Sequence, residues 1–190
     1  MKLERILPFA RSLLANCIQS GDIAVDATMG NGHDTLFLAK LVGDSGKVFS
    51  FDIQQDALIA TEKKVAENNL KDSVFLSLCG HEQIKSVIPP SFHGKVTGAV
   101  FNLGYLPGGD KSIVTTSATT IEAIKQLLEI LAPEGIIVLV IYHGHPEGQQ
   151  ERDALLQYVE SIDQQTAHVL EYRFINQMNN PPFIIAIEKR

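Results

Sequence analysis

Two aspartates and a pair of glycines form the first chemical pattern in this chain. In "VDATMGNGHDT", Val25 to Thr35, Asp26 precedes Gly30 and Gly32, and Asp52 follows 26 residues after Asp26. The two glycines let the backbone turn sharply and approach a ligand without a Cβ in the way. A dinucleotide fingerprint would place a third glycine at position 35, which here is Thr35. A carboxylate at Asp26 would repel a pyrophosphate and suits a cationic ligand. S-adenosylmethionine has a sulfonium, an ammonium and no phosphate. Asp52 can accept hydrogen bonds from both hydroxyls of a ribose. Ile53 beside it can pack on an adenine face, and the stretch Cys79 to Glu82 can read the adenine edge. The cofactor set expected from this pattern is Asp26, Thr28, Gly30, Asn31, Gly32, His33, Asp34, Thr35, Asp52, Ile53, Gln54, Gly80, His81 and Glu82, with Asn102 at its border. The plainer readings are a turn cap for Asp26 and a helix N-cap for Asp52.

A second pattern is "FNLGYLP", Phe101 to Pro107. It resembles the (Asp/Asn)-Pro-Pro-Tyr motif of methyltransferases that act on nitrogen, with Leu103-Gly104 in place of the two prolines. The carbonyl of an Asn102 side chain can accept a hydrogen bond from an amine and so aim its lone pair. Tyr105 can stack on a base or stabilise positive charge growing on nitrogen. The plainer reading is a strand exit capped by Asn102, with Tyr105 packed in the core. A primary ammonium must lose a proton before it attacks, so a base is useful. His143 is the candidate by position, with His145 behind it. "HGH" alone does not make a metal site, and no metal is expected. Contacts to a nucleic-acid substrate are expected from Tyr105, Pro107, Lys111, Tyr142, His143, His145, Arg5 and Arg11, with Lys2 nearby; ordinary solvated surface is the plainer reading of the basic ones.

These residues need a scaffold that brings them to one edge. Apolar strand-like runs alternate with helical patterns along the chain. The strands expected are "IAVDA", "KVFSFDI", "SVFLSLCG", "KVTGAVFNLGYLP", "GIIVLVIYHG", "AHVLEYRFIN" and "PPFIIAIEKR", the last two joined by a short turn, "QMNNP". A helix over "SIVTTSATTIEAIKQLLEILAPEG" is expected to stop at Pro133 and Gly135. The pattern predicts an α/β fold, a doubly wound, mostly parallel seven-stranded sheet with a C-terminal antiparallel hairpin. Ligands bind such sheets outside the carboxyl ends of the strands. Both patterns, and "YHGHPEG", fall just after strands.

The chain has 190 residues, a length that favours one domain over two, so 1–190 is expected to form a single domain with the helix in 1–20 packed on it. The net charge is −6, which argues against a broad duplex-binding face but allows a small local RNA site. The two cysteines form no CxxC and suit a reducing cytoplasm. The N-terminal segment, broken by charges and a proline, reads as neither signal peptide nor membrane span.

"DATMGNGHDT", "FDIQ" and "FNLGYLPGGDK" together resemble a bacterial methyltransferase family once described as ribosomal RNA methylases and now assigned to the tRNA wobble uridine (MnmM). The resemblance spans nearly the whole chain. It implies a class I fold, S-adenosylmethionine as donor, and conversion of 5-aminomethyl-2-thiouridine to 5-methylaminomethyl-2-thiouridine in a tRNA anticodon stem-loop. Thr28 stands where the general class I pattern has its first glycine. A homodimer is compatible with this reading. Methylation of ribosomal RNA or of a small molecule is the alternative. An NAD-dependent oxidoreductase and a non-catalytic binding module are opposed by the missing third glycine and by the intact "NLGYLP".

Overall fold

The computed structural model describes residues 2–104, 108, 114–144 and 146–190. The elements are α1 (Ile6–Cys17), β1 (Ile23–Asp26), α2 (His33–Val42), β2 (Lys47–Asp52), α3 (Gln55–Glu67), β3 (Val74–Leu78), α4 (Ile84–Val87), β4 (Val96–Leu103), α5 (Ser117–Ile130), β5 (Leu131–Ile141), α6 (Pro146–Glu160), β6 (Ala167–Tyr172) and β7 (Phe183–Lys189). Seven strands form one sheet in the order β3-β2-β1-β4-β5-β7-β6. Only β7 runs antiparallel to its neighbours, β5 and β6. The fold is the mixed, doubly wound α/β sheet expected. The β6–β7 connection is longer than the "QMNNP" turn, covering residues 173–182.

Alternation along the strands divides the interior in two. Ala99, Phe101 and Leu103 of β4 enter a core shared with α5 and α6. Val100 enters the opposite core, shared with α1, α2 and α3. Each fully buried Val, Leu or Phe side chain of this kind contributes about 1.5–3 kcal/mol. Asn102 has the parity of Val100, so it rises on the α1/α2 side. α1 buries Ile6, Ala10 and Leu14 against the sheet. It lies close because β4 has Gly98 there: a Cβ would sit 2.6 Å from the Ile18 Cδ1.

α5 ends earlier than its breakers suggest. Its last residue is Ile130, and Leu131 already pairs with Val96. Pro133 and Gly135 instead lie in a bulge within β5, where the register jumps from Val96↔Leu131 to Gly98↔Ile136. A proline can sit there because a bulge leaves its missing N–H unneeded. Glu134 takes a left-handed φ of 62° in the same bulge. The threonine-rich start of α5 is explained by its cap: the Thr116 side chain accepts from the Thr119 N–H.

Candidate active site

The chain leaves β1 for β2 and β3 on one side and returns to β4 on the other, so β1 and β4 flank the switch point where α/β sheets bind ligands. The loop after β1 bridges this crevice in steps. The Ala27 N–H donates to the Val100 carbonyl at 2.9 Å, and the Met29 N–H donates to the Phe51 carbonyl at 2.9 Å. The Gly30 N–H donates to Asp52 Oδ2 at 2.9 Å. Gly30 and Gly32 both adopt left-handed backbone, with φ of 48° and 75°. From outside, the Thr61 hydroxyl donates to the Gly30 carbonyl (3.0 Å) and Lys64 Nζ to the Asn31 carbonyl (2.6 Å). Thr28 is no defect in this loop. Its Oγ1 accepts the Asn102 backbone N–H at 2.7 Å, so it ties the glycine turn to the exit of β4.

Asp26 departs from expectation. Its carboxylate is fully buried and does not face the crevice. Oδ2 accepts from the Thr35 hydroxyl at 2.7 Å, which also lies 3.0 Å from Ser50 Oγ, and Oδ1 accepts from the Thr28 N–H. Asp26 and the equally buried Thr35 therefore shape the loop from beneath. Burial, and next the nearby Asp34 charge, push the Asp26 carboxyl up to about 7. This value lies above the ordinary carboxylate value of about 3.9, so the folded chain holds this proton more tightly than the unfolded one. The stability this group contributes is then fully present below pH about 4 and is lost as pH rises through about 7. Asp26→Asn mimics the protonated acid, since its amide can donate to Thr35 while its carbonyl accepts from Thr28. Its unfolding free energy is expected to lose this group's slope between pH 4.5 and 7.5, roughly, while the wild type loses a few kcal/mol at about 1.4 kcal/mol per unit. Chemical denaturation across that range would refute the assignment if both proteins kept the same slope.

At the exit of β2, half-buried Asp52 accepts the Gly30 and Gln54 N–H groups, one on each oxygen. Each oxygen keeps a second lone pair for a hydroxyl. Ile53 is 58% exposed beside it, an apolar face open to a ligand. At the exit of β3, Glu82 folds its carboxylate over buried Gly80. The His81 ring is buried, with Nδ1 donating to the Ala27 carbonyl at 3.1 Å and Nε2 3.5 Å from Thr120 Oγ1. Burial lowers its pKa, so it is a neutral prop beneath the β1 loop. His33 is exposed and turned to α3, where its Nε2 lies 3.3 Å from Lys64 Nζ. The protein partners of these two rings are Lys64 for His33, and the Ala27 carbonyl and Thr120 for His81.

The β4 exit has the sharpest geometry. Asn102 Nδ2 donates to Asp34 Oδ2 at 2.7 Å. A carboxylate only accepts, so the amide must present its NH2 to Asp34 and its Oδ1 elsewhere. Asp34 is gripped in turn by Arg11 of α1, through Nε at 3.3 Å and Nη2 at 3.0 Å. The Arg11 guanidinium also lies 5.3 Å from the Phe37 ring centroid. Arg11 thus supports the site through Asp34; Arg5 and Lys2 are exposed at the start of α1. Gly104 donates its N–H to Thr115 Oγ1 (3.0 Å), and that hydroxyl donates to buried Glu151 of α6 (2.7 Å). The Tyr142 N–H donates to the Leu103 carbonyl, and burial, then the charge of Asp34, raise its phenol pKa.

His143 does not fit a general base. Its Nε2 donates to the Pro181 carbonyl at 3.0 Å, and its Nδ1 lies 3.3 Å from Arg152 Nη1, a donor. Both ring nitrogens are taken, and the ring meets Phe183 edge-on. Desolvation first, and the Arg152 charge also, lower its pKa. Tyr105, Pro107, Lys111 and His145 lie outside the described residues. Among the described residues no three His, Cys, Asp or Glu side chains converge as a metal set, and no helix is long and apolar enough to cross a membrane.

A family model described as "Putative rRNA methylase" matches residues 48–188, from β2 to the end of β7. The chain belongs to this rRNA methylase family. A Clostridium thermocellum structure described as an rRNA methylase is 42% identical, with a TM-score of 0.96, and the match covers all of both chains. A Streptococcus mutans structure, described as a methyltransferase in complex with SAH, is 40% identical with a TM-score of 0.89 and 99% of each chain covered. A chloroplastic Arabidopsis thaliana protein, named tRNA (mnm(5)s(2)U34)-methyltransferase, is 42% identical over 147 residues, or 73% of this chain and 53% of that one. The chain spans about half the length of the curated relatives it matches. In this rRNA methylase family member, sequence reasoning missed four supports: the Arg11 grip on Asp34, Thr61, Lys64 and the Glu151–Thr115 link. Only Asp34 had a local signal, as the acid in the first turn of the helix after the glycine loop.

Proposed function

We propose that this protein transfers a methyl group from S-adenosylmethionine to the exocyclic amine of 5-aminomethyl-2-thiouridine at the tRNA wobble position. The observation that carries the reading is Asn102: Asp34 turns its carboxamide so that Oδ1 is left at the β4 exit, next to the glycine loop of β1. An amine donor is what such an oxygen takes. The Arabidopsis relative's name supports the acceptor, and the S. mutans complex with SAH supports the donor.

The crevice fits that cofactor. The loop brings no Cβ to its two left-handed positions, Asp52 keeps acceptor capacity for a ribose, and Ile53 offers an uncovered apolar face. The bound cofactor supplies a methyl carbon activated by a sulfonium. Asn102 Oδ1 accepts a hydrogen bond from the neutral amine and points its lone pair at that carbon. With the cofactor bound, the N–C bond would form as the donor's S–C bond breaks, and the resulting secondary ammonium would shed a proton. Asp34, half-buried beside Asn102, favours the cationic nitrogen electrostatically. Most of the rate gain then comes from positioning. Residues 1–190 act as one catalytic domain, in which α1 is a working part through Arg11.

Purified protein, S-adenosylmethionine and tRNA bearing the aminomethyl nucleoside are expected to give the methylaminomethyl nucleoside by mass spectrometry. Methylation of ribosomal RNA but not of tRNA would sink the acceptor assignment. Asp52→Ala is expected to weaken SAH binding roughly 10–100-fold, since hydrogen bonds to a charged acceptor are worth about 1.5–3 kcal/mol each. An unchanged dissociation constant in titration calorimetry would refute the ribose role.

A further inference from the structure

We propose that the groove between α6 and the β6–β7 connection receives the single-stranded RNA flanking the target nucleotide. This rests on the RNA reading above and places the RNA face that reading leaves open.

The groove has a volume of about 690 Å³. It borders the reaction site through two consecutive residues. Tyr142 lies against Gly104 and Leu103 on the acceptor side, while His143, the next residue, lines the groove. The pairing of Ile141 with Phe183 sets the end of the β6–β7 connection beside the β5 exit. A polymer with one nucleotide at Asn102 therefore has this groove as its neighbouring surface on the β5 side.

The lining suits splayed bases more than a duplex backbone. Gln177, Asn179 and Asn180 are exposed and bring amide donors and acceptors that can read base edges. Ile175 and Met178 are 86% and 84% exposed, apolar faces that folding leaves uncovered. Arg152 and Arg173 line the same groove, each paired with one carboxylate, Asp153 and Glu171. Each guanidinium has five donors, so such a pair leaves some for a phosphate or a base. These four charges sum to zero, in keeping with a chain of net charge −6 that grips no long phosphate track. Single-stranded RNA loops are read by stacking and edge contacts of this kind. Asn179 and Asn180 hold consecutive left-handed conformations, φ 67° and 48°. Asparagine tolerates that region better than most residues, yet glycine would adopt it more readily.

This last point supplies a clean variant. Asn179→Gly/Asn180→Gly keeps the backbone conformation and removes both amides. Arg173→Ala/Met178→Ala removes an exposed cation and an exposed apolar face. The readouts are KM for an anticodon stem-loop RNA with 5-aminomethyl-2-thiouridine, the SAH dissociation constant and the unfolding midpoint. Each double variant is expected to raise KM for RNA by about tenfold or more, the scale of one or two lost hydrogen bonds. SAH affinity and the unfolding midpoint are expected to stay at wild-type values. Wild-type KM in both variants overturns the groove assignment while leaving the proposed reaction standing. A wild-type enzyme that methylates no RNA, yet binds SAH, overturns the RNA reading itself. Loss of SAH affinity in either variant also overturns the proposal, since the groove would then serve the cofactor.

Discussion

Asn102→Ala is expected to lower kcat by about 10²–10³-fold while SAH affinity changes by no more than a few-fold, roughly the effect of losing one preorganised contact to a reacting group. The reason lies in how the residue is divided. Its backbone N–H holds Thr28 and with it the cofactor loop, and alanine keeps that bond. Its Nδ2 is spent on Asp34, so only Oδ1 is left for an acceptor amine. Asp34→Asn provides the internal comparison. It leaves Oδ1 in place but lets the two amides pair in either sense, so an intermediate loss of roughly tenfold is expected, the weight of about one ordinary hydrogen bond. Single-turnover rates with saturating cofactor separate these cases. If SAH binding collapses in Asn102→Ala and excess cofactor restores the rate, Asn102 is a cofactor ligand.

Gly32→Ala is expected to disable cofactor binding more completely than any other single methyl added to this loop. A Cβ at position 32 would lie 2.7 Å from Thr61 Oγ1 and 2.9 Å from Thr61 Cγ2, and φ is +75°. The left-handed conformation alone is unfavourable for alanine by about 1–2 kcal/mol, and the steric clash adds about 1–3 kcal/mol. The loop can relieve this only by moving away from α3, which breaks the Thr61 bond to the Gly30 carbonyl. SAH affinity should fall by about two orders of magnitude, as those energies imply, with a lowered unfolding midpoint. Adding Thr61→Ala removes the clash but not the backbone strain, so it should recover part of the loss. Full recovery would show that the left-handed backbone is dispensable; no recovery would show that α3 does not set the loop.

Much of this architecture is legible in one dimension. The alternation of apolar runs with helical patterns identifies the sheet, and the continuous run from Gly135 to Ile141 marks a strand covered on both faces. The boundary between α5 and β5 is less legible. Pro133 and Gly135 break a helix or permit a bulge equally well, and the pairing of Leu131 with Val96 decides between them. The side chains at strand exits were harder still. Asp26 reads as a ligand contact because acids at such positions often face the crevice, but Thr35, nine residues on, covers its carboxylate and is itself held by Ser50, a further fifteen residues along. His143 reads as a base because it follows a strand, but Pro181 and Arg152 arrive from distant elements and occupy both nitrogens.

The sequence by itself determined the α/β class, the glycine loop with Asp52 after the next strand, and Asn102 at the exit of β4. These depend on local rules: strand and helix periodicity, the absence of a Cβ at two positions, and the donors and acceptors each side chain has. The tertiary structure alone decided which face of the sheet α1 packs on. That choice brings Arg11 to Asp34 and Asp34 to Asn102, over separations of 23 and 68 residues. No local pattern encodes such a meeting, because the parity of β4, the close approach at Gly98 and the left-handed turn into α2 must all hold at once. The direction of one amide, on which the proposed chemistry turns, is set by that packing.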